Sequence, residues 1–137
     1  MGSELDLPDE FRSEVEAAFS FLLEEAGFAG PERTEHGLLF RGPGLDVDVW
    51  LFDGREPQVA TGVAAVGPDG IRGRRAWLDE LYVAAGCGPA QDVPGSAPTR
   101  RSTIKRVHQH ATALRRLMTG LSAPELSQLI IRWSAPR

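Results

Sequence analysis

Two aspartates offer the first chemical possibility in this sequence. Asp46 and Asp48 lie two apart in the run LDVDVWLF, residues 45–52. If that run is a strand, both carboxylates share one face with Cβ atoms about 7 Å apart, close enough to hold Mg²⁺ with waters. A nuclease of the restriction type would add Glu-x-Lys from the next strand, but the next run offers Glu56-Pro57-Gln58 and no lysine. The ordinary alternative is a solvated strand face. His108 and His110 are also two apart, whereas zinc ligands on one helix want a spacing of three or four. His108 flanks an apolar stripe and can simply pack against it. His36, beside Glu35, has no nucleophile to serve. Cys87 lies between two glycines, and no partnered base marks it as catalytic. The Gly-x-Gly stretches lack a following Gly-Lys-Ser/Thr and read as turns. No motif is strong enough to name a reaction. No metal or cofactor is expected, and the weight falls on a non-enzymatic role.

Three further sets concern binding. Arg72, Arg74 and Arg75 form one basic cluster; Arg100, Arg101, Lys105 and Arg106 form another, followed by Arg115 and Arg116. Together they can track phosphates. Against that, no aromatic residues interleave them and the whole chain has a pI near 5.4. Nucleic acid is therefore the alternative. Trp50, Phe52 and Trp133 are interface candidates, because aromatic and arginine side chains anchor protein interfaces. Trp133 lies on an apolar stripe and fits a core as well. Trp50 alternates onto the acid-bearing strand face. The set expected to meet a protein partner is Asp46, Asp48, Trp50, Asp53 and Glu56.

The positioning elements follow from periodicity. Ile104, Val107, Ala111, Leu114, Met118 and Leu121 step by three and four, which predicts a helix over 103–121 with Ser102 or Thr103 as cap and Gly120 near its end. Residues 8–26 predict a first helix: Asp6 can cap it, Pro8 suits its first turn, and Phe11, Val15, Phe19 and Leu22 repeat on one side. Gly30-Pro31 breaks the chain. Residues 37–42 are a short strand candidate. The run 45–52 alternates Leu, Val, Val, Leu against Asp, Asp, Trp, Phe, so one face is buried. Asp53-Gly54 signals a hairpin. Residues 57–66 make the next strand, with small residues on both faces that suggest a helix close by. Residues 71–75 are a short edge. Trp77 to Ala85 reads as a short helix with Trp77, Leu78, Leu81, Tyr82 and Ala85 inward. Residues 86–101, rich in Pro and Gly, read as a flexible linker. Ser122-Ala123-Pro124-Glu125 is a capping box before a last helix striped by Leu126, Leu129, Ile130 and Trp133. The expectation is one α+β domain over 1–137: an N-terminal helix, a three- to four-stranded antiparallel meander, then two to three C-terminal helices on one sheet face.

The chain of 137 residues is long enough to bury a core without staples. No run of apolar residues reaches membrane-spanning length, and the acidic start MGSELDLPDEF lacks a secretory pattern. Met-Gly-Ser can be an expression-tag scar. One cysteine rules out an internal disulfide framework, and cytoplasmic residence is the default. Fourteen of the fifteen Lys and Arg are Arg, which suggests a GC-rich bacterial genome. Residues 1–56 hold 14 acids and 4 bases, while 57–137 hold 5 acids and 11 bases, giving net charges of −10 and +6. Such halves either neutralise each other across the fold or steer a partner.

With "EEAGF" at 24–28, "LDVDVWLF" at 45–52 and "WLDELYVAAG" at 77–86, the layout resembles small bacterial immunity-type and related proteins. That resemblance implies binding and neutralisation of a cognate toxin without catalysis, and it transfers no site residues. An acidic half would then mask a basic toxin surface. The readings set beside it are a homo-oligomeric structural subunit, a nucleic-acid accessory protein and a metal-dependent hydrolase.

Overall fold

The computed structural model describes residues 6–134; the Met-Gly-Ser start lies outside them. A first helix, α1 (Leu7–Ala18), is followed by a single turn of helix, α2 (Phe21–Glu24). Five strands come next: β1 (Ala29–Arg33), β2 (Gly37–Arg41), β3 (Leu45–Phe52), β4 (Gln58–Val66) and β5 (Arg72–Trp77). The chain closes with α3 (Leu78–Ala84), α4 (Arg100–Gly120) and α5 (Ala123–Trp133). The strands pair in chain order as an antiparallel meander. The class is α+β, with five strands rather than three or four. Among the described residues no helix is long and apolar enough to cross a membrane.

Alternation divides the sheet into two faces. Leu38, Val49 and Thr61 stand in one cross-strand row, and Phe40, Val47, Val63 and Ala76 in the next. Onto these rows pack Phe11, Val15, Phe19 and Leu22 from the N-terminal helices, Leu78, Leu81 and Tyr82 from α3, Val107, Leu114 and Leu117 from α4, and Leu126 and Ile130 from α5. Fully burying side chains of this size contributes about 1.5–3 kcal/mol each. All the helices therefore sit on one side. Leu39, Trp50 and Ala64 are also buried but stay outside that cluster, on the opposite face.

Several expectations shift for physical reasons. The first helix breaks after Ala18, because a continuous helix would carry Phe21 off the stripe shared by Phe11, Val15 and Phe19. The break turns Phe19, Phe21 and Leu22 all inward. β1 forms across Gly30-Pro31 at the sheet edge, where a register shift accommodates a residue without an N–H. Gly37 is needed in β2, since a Cβ there would stand 1.8 Å from the Val49 carbonyl oxygen. α4 begins earlier than the apolar stripe indicates. Thr99 caps it, and Ser102 reciprocates with its hydroxyl. The stretch 86–101 is pinned to the body rather than hanging as a flexible linker. Ser96 bridges Gln58, Val59 N–H donates to the Gly95 carbonyl, and Ala97 N–H donates to that of Pro57. Val93 and Ala97 are buried, and the Tyr82 hydroxyl donates to Asp92 while accepting from Arg116.

Candidate functional site: the open face of the sheet

The helix-free face is built from the even positions of β3. Asp46, Asp48 and Trp50 lie on it, facing Arg41, Leu39 and Gly37 of β2 and Ala64, Gly62 and Ala60 of β4. From β5 come Arg72, Arg75 and Trp77. An extra residue in β5 between the Val66–Arg72 and Ala64–Arg75 pairs places both arginines on the same face; strict alternation would have separated them.

The two aspartates are covered by these arginines. Arg72 Nε and Nη2 donate to Asp46 Oδ2 at 2.9 and 2.8 Å. Arg41 Nη1 lies 3.7 Å from the same oxygen. Arg72 and Arg75 approach Asp48 Oδ2 at 3.8 and 3.9 Å. Burial pushes the Asp48 carboxyl above its usual range, while Arg72 and Arg75 pull it back down. Arg41 also binds Glu32 on β1, a contact that lowers the Glu32 carboxyl. Asp46 and Asp48 retain only 5% and 10% side-chain exposure, against 36–53% for the three arginines. The exposed surface of this face is thus guanidinium, with the acids serving beneath it as anchors. A metal ion at these carboxylates would have to displace two or three guanidinium groups.

Arg75 joins the ionic half of the face to an aromatic half. Its Cζ stands 4.0 Å from the Trp50 ring centroid and 5.7 Å from that of Trp77. The two indoles meet edge-on at 5.4 Å. Trp50 also contacts Phe52, which in turn contacts His36, each at 6.0 Å between centroids. The small residues of β4 make room for this arrangement on the open face, while α3, α4 and α5 lie close against its other face as expected. A Cβ on Gly62 would sit 2.3 Å from Arg75 Cδ, so the arginine stem lies across the glycine. Stacking over an indole is worth about 0.5–1 kcal/mol at an exposed site. Trp77, expected inward on a helix, is instead the last residue of β5 and part of this open face.

The other candidate residues lie elsewhere. Asp53 and Glu56 occupy the β3–β4 turn, at the opposite end of β3 from Asp46, and Glu56 accepts from the Ser96 hydroxyl. Arg74 is exposed on β5. Arg100 pairs with Glu10, and Arg106 donates to the Ser96 carbonyl and to Gln109. Arg101 and Lys105 are exposed on α4. The two basic clusters therefore sit on opposite sides of the sheet and do not form one track. His108, on the outer side of α4, reaches Glu14. The buried histidine is His110, hydrogen-bonded to Thr61 and to the Pro94 carbonyl.

Comparison of the chain with protein-family models, with curated proteins and with solved structures found no match. The open face is therefore interpreted from its own geometry.

Proposed function

We propose that this chain is a non-enzymatic protein-binding domain that docks a partner on the open sheet face, in the manner of a bacterial immunity protein holding its toxin. The observation that carries this reading is the Arg75 guanidinium fixed over Trp50 while Asp48 lies beneath it. Arginine and tryptophan are the side chains that most often dominate interface energies, and an arginine ordered before contact loses less entropy on binding. The partner patch is one that supplies carboxylates to Arg41, Arg72 and Arg75. This reverses the charge expected from Asp46 and Asp48 as surface groups. The lone cysteine and the arginine-dominated composition support a bacterial cytoplasmic setting.

The test compares capture by the wild-type chain with capture by two face variants, from an extract of the native host at low salt, with a nuclease-treated sample as control. Arg72→Ala/Arg75→Ala removes the guanidinium groups, and Gly62→Ala displaces Arg75 without removing its charge. The expected result is one stoichiometric protein held by the wild type and weakened at least roughly tenfold by either variant. A partner retained equally by all three, or recovery of nucleic acid alone, would refute docking on this face.

A further inference from the structure

On the helical side of the sheet, α4 and the turn at Ala90–Asp92 border a groove of 570 Å³. Lys105, Gln109, Thr112 and Arg116 line it from α4. Their steps of four, three and four place them on one stripe of the helix. Tyr82 of α3 and Asp92 of the turn line the groove as well. This stripe differs from the seam side of the same helix. There Arg100, His108 and Arg115 each meet a glutamate of α1 or of the end of α2. Among the described residues, neither Lys105 nor Arg116 has a carboxylate within ion-pair distance.

Donor chemistry decides how these groups are spent. A guanidinium only donates, so the Tyr82 oxygen accepts from Arg116 Nη1 at 2.9 Å and gives its own proton to Asp92 Oδ2 at 2.8 Å. The phenol thus stands between cation and carboxylate, and the other N–H groups of Arg116 remain to donate. The same rule orients Gln109. Its Oε1 accepts from Arg106 at 2.9 Å, which leaves the Nε2 hydrogens to donate. Thr112 adds an exposed hydroxyl. His108 also lines the groove, but Glu14 engages its ring. With that pair taken as neutral and Asp92 counted in full, Lys105 and Arg116 leave the lining one positive charge in excess. A row of donors with a positive excess suits an oxyanion. Phosphate offers three terminal oxygens, and guanidinium matches its geometry. Lys105 and Arg116 lie three turns apart, about 16 Å between Cα atoms, so the ligand is longer than a bare ion.

We propose that this groove binds a phosphate monoester, with the phosphate at Arg116 and Thr112 and the rest of the molecule directed toward Gln109 and Lys105. The claim is independent of docking on the open sheet face. Isothermal calorimetry at fixed ionic strength tests it with ribose 5-phosphate and with a phosphoserine peptide, each beside its unphosphorylated form. A phosphorylated probe is expected to bind saturably and at least roughly tenfold more tightly than its unphosphorylated form. Arg116→Gln should weaken it about tenfold and Lys105→Gln about threefold; both residues are exposed, so both variants keep the core. Arg132→Gln makes the same charge change at an exposed position of α5 outside the groove and should leave binding unchanged. Tighter binding of the peptide marks a phosphorylated protein segment, and tighter binding of ribose 5-phosphate marks a free small molecule. Absence of saturable binding by both phosphorylated probes overturns the proposal. So does equal affinity with and without the phosphate, or an equal loss on Arg116→Gln and Arg132→Gln, which would show general attraction to charge.

Discussion

His110 ties three parts of the chain together through two hydrogen bonds: α4 carries the ring, β4 supplies Thr61 and the 86–101 stretch supplies the Pro94 carbonyl. Burial is the main reason its imidazole lies below the ordinary value of 6.5. The Pro94 hydrogen bond and the Asp79 charge pull it back upward, and Arg106 adds to the lowering. An unfolded chain gains a proton on this residue as pH falls through 6.5, whereas the folded chain gains it only at lower pH. The unfolded state then binds more protons, so stability is full above 6.5 and is lost as pH falls toward the lowered value. Denaturant midpoints between about pH 7.5 and pH 5 should therefore fall more steeply for the wild type than for His110→Gln. Parallel slopes would show that His110 does not set this dependence. The sequence favoured His108 as the packing histidine because its apolar row was counted through Ile104, Ala111 and Met118. A second row, Thr103, Val107, His110, Leu114 and Leu117, has the same spacing and is buried throughout, whereas Ile104 and Met118 of the first are only half-buried. Spacing alone could not decide between two rows that share Val107 and Leu114. The aspartates and Trp50 were correctly placed on one strand face, because period-two alternation determines faces. Their cover of arginines depends on the extra residue in β5, and Gly73 beside it is the only local hint.

Elements were legible where one local rule governed them. β3 runs from Leu45 to Phe52 as its alternation indicates, and Ser122 with Glu125 caps α5 in the reciprocal manner expected. Elements that depend on distant partners were not legible: β1 exists because β2 offers an edge, and 95–97 is ordered because β4 has an uncovered one. The start of α4 lies between these cases. Apolar spacing begins at Ile104, but the helix starts at Arg100 because the Thr99 and Ser102 hydroxyls satisfy the first free N–H groups. Replacing Thr99 with Ala should cost about 1 kcal/mol, or roughly 3–5 °C in melting temperature for a domain of this size. A cap confined to Ser102 or Thr103 would leave Thr99→Ala silent, and a melting curve that overlays the wild type would support that placement instead.

Across the whole molecule, the acidic first half and the basic second half meet along one seam. α1 and the end of α2 lie against α4, and there Glu10 pairs with Arg100, Glu14 with His108 and Glu25 with Arg115. A second seam joins β3 acids to β5 arginines across the open face. Five of the fourteen acids of the first half thus meet a basic side chain of the second within the fold, a partial self-neutralisation. Each pair on the helix seam is exposed and weak alone, and screening by salt reduces it further. Their joint effect is measurable through that screening. The combined variant Glu10→Gln/Glu14→Gln/Glu25→Gln should melt roughly 3–6 °C below the wild type at low salt, and about half or more of that gap should close in about 0.5 M NaCl. Glu and Gln have the same stem, so the substitutions remove charge and leave packing in place, and the closing gap reports charge alone. If the triple variant instead melts with the wild type at every salt concentration, the helix seam contributes nothing to folding, and the acids of α1 and α2 are left free to act on a partner.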